Sequence, residues 1–276
     1  MKTDLIYGVE DRPPFKDALF AALQHLLAIF VAIITPPLII ASALKLDVEK
    51  TSFLVSMSLF ASGVSTFIQC RRIGPIGAKL LCIQGTSFSF IGPIIATGLV
   101  GGLPLIFGSC IAAAPIEMVV SRTFKYLRNI ITPLVSGIVV LLIGLSLIKV
   151  GIVSCGGGYS AMDDGSFGSW ENLSIAALVL LSVLFFNRCK NKYLRMSSIV
   201  FGLCLGYGLA FALGKVNMSA LNVEMLMSFN IPQPFKYGID FNISSFIAIG
   251  LVYLITAIEA TGDVTANSMI SGLPIE

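Results

Sequence analysis

The 276-residue chain is 56% hydrophobic and only 12% charged, whereas about a quarter of an ordinary soluble domain is charged. With a mean hydropathy of +0.91, that balance excludes a water-soluble globular fold, and the net charge of +3 is no signal for nucleic acid. No HExxH, GxSxG or Walker loop occurs, one histidine leaves little for a hydrolytic or metal centre, and the six cysteines show neither CxxC nor zinc spacing. An enzyme is therefore not expected, and neither a cofactor nor a metal is implied.

Length is better counted in spans, since about 20 apolar residues cross the roughly 30 Å of bilayer hydrocarbon. In chain order, residues 18–44 and 51–70 carry no Asp, Glu, Lys or Arg, and residues 80–116 form a longer run able to hold two crossings. Residues 129–148, 172–187, 196–214 and those from 241 onward add four more, so eight spans are expected of an all-α polytopic membrane protein. Thirteen of the eighteen Lys and Arg residues fall in the N-terminal segment and in every second loop after it. Short cytoplasmic loops collect such residues, which predicts a cytoplasmic N-terminus and, by the count, a cytoplasmic C-terminus.

Several polar residues interrupt the spans. In the first, His25 is a candidate site residue, and "TPP" at residues 35–37 removes two backbone donors and predicts a kink or break. In the third, "QGTSFSFIGP" at residues 84–93 has the composition of a helix broken within the membrane, an arrangement that turns half-helix N-termini toward a substrate at mid-depth. In the last, "TAIEATGDVTA" places Glu259 and Asp263 four residues apart, hence on one helical face. A carboxylate at membrane depth costs about 2.5–3.5 kcal/mol on insertion scales and so tends to face a cavity; two side by side titrate as a unit, which makes a proton-binding device. Gly202 and Gly206, spaced GxxxG, are read as helix packing.

The stretches "DRPPFKDALFAALQHLLAIFVAIITPPLI", "GAKLLCIQGTSFSFIGP", "RNIITPLVSGIVVLLIGLSLIKVGIVSCGGGY", "IPQPFKYGI" and "AIEATGDVTANSMISGLPI" together resemble the nucleobase-ascorbate transporter family, also called nucleobase:cation symporter-2, and within it the bacterial xanthine permeases. The resemblance covers essentially the whole chain. It implies a fold of fourteen spans in two inverted seven-span repeats, divided between core and gate domains, with short strands in the third and tenth spans. It also implies a homodimer in the inner (plasma) membrane that couples purine uptake to protons.

Carried onto matching positions, the resemblance makes Glu259 the carboxylate that holds the ring N–H groups of the base and Asp263 the neighbour that tunes proton coupling. Ser87 and Phe88 then flank the base, Phe88 through its backbone, and His25 supports that region. Ser87 departs from strict xanthine relatives, which usually carry Asn, so xanthine and uric acid are both candidate substrates. The family's tenth-span signature and ninth-span carboxylate do not occur in these residues. The chain therefore resembles an N-terminal fragment: the first seven-span repeat plus the first helix of the second, with residues 18–121 and 241–275 expected in the core, 129–214 in the gate, and a short strand in the third span. Two readings follow, a proton-coupled purine symporter or a transport-inactive truncated piece of one.

Reporter fusions or cysteine labelling should place the N-terminus and the 188–195 loop in the cytoplasm, and an external position for either would overturn the assigned orientation.

Overall fold

The computed structural model describes residues 7–8, 10–127, 138, 141, 144–145, 148–149, 151–190, 194–195, 197–216 and 232–272. Most of the span expected at 129–148 lies outside the described residues. The described part is helical. α1 is Phe15–Ala43, α2 Val48–Arg71, α3 Ile91–Leu127, α4 Gly158–Asp163, α5 Trp170–Asn187, α6 Ser198–Ala212 and α7 Ile243–Ser271, with a 3₁₀ turn at Phe88–Phe90 leading into α3. Among the described residues four stretches are long and apolar enough to cross a membrane, namely Val48–Arg71, Phe88–Thr123, Trp170–Asn187 and Ile243–Thr265. The protein is a multi-pass membrane protein.

Of the kink or break expected at "TPP", the break is not formed: α1 stays helical through Pro36 and Pro37. Proline's fixed φ is itself helical, so the pair costs backbone donors without forcing the chain out of the helix. Thr35 turns its hydroxyl back onto the carbonyl of Val31, 2.6 Å away, as hydroxyl residues inside helices commonly do. Residues 80–116, expected to hold two crossings, contain a real discontinuity at Gly101–Gly102, both non-helical. Gly102 sits at φ 66°, ψ −161°, a conformation open essentially to glycine alone.

No strand is formed among the described residues; an isolated bridge joins Ile73 and Ile76. The strand expected in the third span is instead a non-helical segment, residues 81–87, ending in Ser87 with extended backbone at φ −97°, ψ 131°. A ladder needs a second strand beside it, and helices flank this one.

The chain divides into two compact units. The first gathers Met1–Arg12, Pro36–Ile148 and Pro232–Glu276. In it α3 packs along α7, and Ser109, Ala113 and Ile249 are fully enclosed. Small residues let these two helices approach closely, which is how helices associate where hydrocarbon provides no hydrophobic drive. Gly108 faces the carbonyl of Asp240, where a Cβ could not fit, and Asp240 N–H donates to Pro104 O at 3.0 Å. Asp47 caps α2 by accepting from Lys50 N–H at 2.8 Å; the Lys50 ammonium and amide hold its carboxyl below the usual carboxylate range.

The second unit gathers Pro13–Thr35 and Lys149–Ile231. Here α5 and α6 pair, with Gly202 and Gly206 seated against Val183 and Val179. Both glycines are buried, so the packing reading of this motif holds. The ends are tied by Lys215 Nζ to Glu171 Oε2 at 2.9 Å, and Asn172 Nδ2 donates to Gly156 O and Ser166 O, both at 3.0 Å.

Gly202→Leu should force α5 and α6 apart and cost about 1–3 kcal/mol, the usual range for overpacking. Thermal unfolding in detergent should show a lowered midpoint; an unchanged midpoint would mean the two helices do not depend on this contact.

Candidate functional site

Within the first unit, residues 81–90 run alongside α7 in the opposite direction, and both neighbours grip them. From α2, the Ser62 hydroxyl donates to Gln84 O, and Gln84 N–H donates to Thr66 Oγ1 at 2.9 Å. From α7, Asn267 Nδ2 donates to Leu81 O at 2.9 Å. Further along, Phe90 meets the edge of Tyr253, centroids 4.9 Å apart, and Tyr253 OH donates to Cys110 O of α3 at 3.4 Å. Leu81 thus lies against residue 267 and Phe90 against residue 253, which fixes the register.

Between these anchors the helix begins. Ser87 is its N-cap, accepting from Ser89 N–H at 3.3 Å, and Phe88 opens the first turn. Ser87 satisfies the Ser89 and Phe90 N–H groups, which leaves the Phe88 N–H and the positive end of the helix dipole for other acceptor groups. Facing them is the carboxylate side of α7. The Ser89 hydroxyl lies close enough to act on the Glu259 carboxylate. The contact is looser than a hydrogen bond, since Ser89 Oγ is buried with no partner of hydrogen-bonding geometry. Asp263 follows one turn later, near enough for its charge to act on Glu259.

The expected continuation of the last span past the acids is seen, since α7 runs on to Ser271. Glu259 and Asp263 are exposed on it rather than enclosed by the described residues. Ser87, Phe88, Glu259 and Asp263 therefore belong to elements that the first unit brings together. His25 belongs to the second unit, where it is exposed on α1. Among the described residues no group of His, Cys, Asp and Glu has metal-binding geometry.

A cavity of about 750 Å³ reaches Thr86, Ser87, Phe90 and Tyr253 from the side of α2, within the size range of small-molecule sites. Its walls are mostly apolar. At one end is the turn Pro232–Tyr237, where Tyr237 packs edge-on against Phe53 at 5.5 Å and parallel to Phe107 at 6.2 Å. Lys236 lies 4.5 Å from the centre of the Phe53 ring and 3.4 Å from Glu49. Glu259 and Asp263 do not line this cavity. The groups able to recognise a polar ring are at the helix start and on α7, so the cavity is an apolar chamber beside that cluster.

Residues 16–276 match the model of a Permease family. The chain is 46% identical over 284 residues to the xanthine permease XanP, and 47% identical over 283 residues to the xanthine permease XanQ, both of Escherichia coli (strain K12). It is 34% identical over 257 residues to the uric acid permease PucJ of Bacillus subtilis (strain 168). The chain belongs to this permease family, the nucleobase-ascorbate transporters. These alignments take in 99%, 99% and 92% of this chain but 61%, 60% and 57% of the respective relatives, so the chain spans about three-fifths of the length of the curated relatives it matches.

Ser62, Thr66, Ser89, Tyr253 and Asn267 escaped sequence reasoning. The signals were weak but present: Ser58, Ser62 and Thr66 recur every four residues on an apolar span, and Asn267 stands eight residues beyond Glu259.

Ser89→Ala removes the hydroxyl beside Glu259 without leaving an unpaired group. In the full-length permease it should change the pH dependence of uptake while leaving protein abundance unaltered, and an unchanged pH profile would remove Ser89 from the site.

Proposed function

We propose that the protein is a proton-coupled symporter for purine bases, with xanthine and uric acid as candidate substrates. The observation that carries this reading is the carboxylate face of α7 set against the start of a half-helix inside an apolar run. A purine base is a planar ring bearing both N–H donors and carbonyl acceptors. Glu259 supplies the acceptor for the ring N–H groups, and the Phe88 backbone N–H at the start of the half-helix supplies a donor for a ring carbonyl. Asp263 shares proton binding with Glu259, so loading of base and proton are linked through one carboxylate pair. Family membership and the names of the xanthine and uric acid permeases support the substrate class.

The finer architecture is part of the same reading. Two inverted seven-span repeats would place residues 81–87 opposite a short strand of the tenth span, the second wall of the site. Residues 18–121 and 241–275 are assigned to the core and 129–214 to the gate, with His25 supporting the site from the first span. A homodimer in the inner membrane with a cytoplasmic N-terminus completes the assignment. Alternating access would follow from rocking of the gate against the core.

In the full-length protein, Glu259→Gln should abolish proton-coupled uptake of radiolabelled xanthine, because an amide neither carries the proton nor accepts as strongly from ring N–H groups. Asp263→Asn should affect binding less. Normal accumulation with normal pH dependence in Glu259→Gln would sink the assignment.

Uric acid carries one more oxygen than xanthine on its five-membered ring, and the short Ser87 side chain leaves room for it. Ser87→Asn should therefore suppress competition by uric acid more than uptake of xanthine; equal effects on both would refute the steric argument.

A further inference from the structure

We propose that Thr66 and Asn267 are positioning residues, which hang the Ser87–Phe88 edge of the site at a fixed register between α2 and α7. The inference rests on the purine-site reading for its functional consequence but not for its geometry.

Residues 81–87 lack the internal hydrogen bonds that a helix provides, and a membrane interior supplies none in exchange. Peptide groups of Leu81 and Gln84 are met by side chains instead. Gln84 has both halves of its peptide engaged by one face of α2, its N–H by Thr66 at 2.9 Å and its carbonyl by Ser62. Ser62 is buried, at 8% exposure, so its hydroxyl has no solvent to turn to. Three residues earlier, Leu81 O accepts from Asn267 at 2.9 Å. The two anchors come from different helices and precede Ser87 by only three and six residues. A shift of either helix therefore carries Ser87 and Phe88 with it.

The position of Asn267 gives this clamp its meaning. At 100° per residue, Glu259, Asp263 and Asn267 fall within about 80° of one another around α7. The face that presents the carboxylates is also the face that holds Leu81. The Asn267 amide thereby helps to set the distance between Glu259 and the helix start at Ser87 from the same helix that carries the carboxylate. Thr66 and Asn267 touch no part of the Ser87–Glu259 cluster themselves and act through the segment they hold.

The test uses the full-length permease and two readouts. Thr66→Val and Asn267→Leu each remove one bond, and Thr66→Ser and Asn267→Gln restore the hydroxyl or the amide donor. A net hydrogen bond of about 0.5–1.5 kcal/mol corresponds to roughly a two- to twelvefold change in an equilibrium. The KM for xanthine should rise by that factor in the Val and Leu variants, with maximal rate per transporter nearly unchanged, and return toward normal in the Ser and Gln variants. The second readout does not require transport. With the native cysteines replaced, Ser87→Cys should react with a maleimide at a rate altered by a similar factor when Thr66→Val or Asn267→Leu is added, while Ser169→Cys should react as before. Unchanged labelling at position 87 in both variants would overturn the inference whatever uptake shows. Altered labelling in a protein that takes up no purine would support the clamp and overturn the transport reading instead.

Discussion

A membrane interior offers no water to a peptide group, so each N–H and C=O there must find its partner within the protein. Helices α2, α5 and α7 meet that demand through their own bonds, as does α3 on either side of its break at Gly101–Gly102. Residues 81–87 do not, and the arrangement of the first unit follows from how that deficit is met. Ser62 and Thr66 face the segment from one side and Asn267 from the other. What those bonds hold is the place where helical backbone resumes, at the Phe88–Phe90 turn.

The same constraint links packing to the site. α7 lies along α3 through small and tightly enclosed residues, Ser109, Ala113 and Ile249 among them, and this fixes the axial position of α7. The pairing of Phe90 with Tyr253, and of Tyr253 with Cys110, then ties the start of α3 to the middle of α7. Glu259 and Asp263 follow Tyr253 within three turns, on a helix that stays packed at Thr256, Ala257 and Ser268. One helix thus supplies both core and carboxylates, and any motion that changes the α3–α7 contact changes the environment of the acids.

Much of this was legible in the sequence, for identifiable reasons. Span positions follow from runs without charge, and the broken third span from the crowding of Gly, Ser, Thr and Pro into ten residues. The acids stand out because a carboxylate in an apolar run has few structural uses. The Gly202–Gly206 packing was readable because only small residues at that spacing let helices approach. Other features were not readable. The "TPP" motif suggested a break, but a motif reports which donors are lost and not whether the surrounding helix tolerates the loss. Ser62 and Thr66 pair with a residue about twenty positions later, and Asn267 with one 186 positions earlier. Such pairings are decided by tertiary register, which no local pattern encodes. Asn267 in particular reads as one more small polar residue at the end of an apolar run until the carbonyl of Leu81 is seen beside it.

The central claim is that a non-helical segment and one face of α7 together form the purine site. Backbone hydrogen exchange in the detergent-solubilised full-length permease, with and without saturating xanthine, tests it most directly. Xanthine should slow exchange in two stretches, the amides of residues 84–90 and those of α7 around Glu259, and do so less in Glu259→Gln. Protection elsewhere with none in these two stretches would contradict the account.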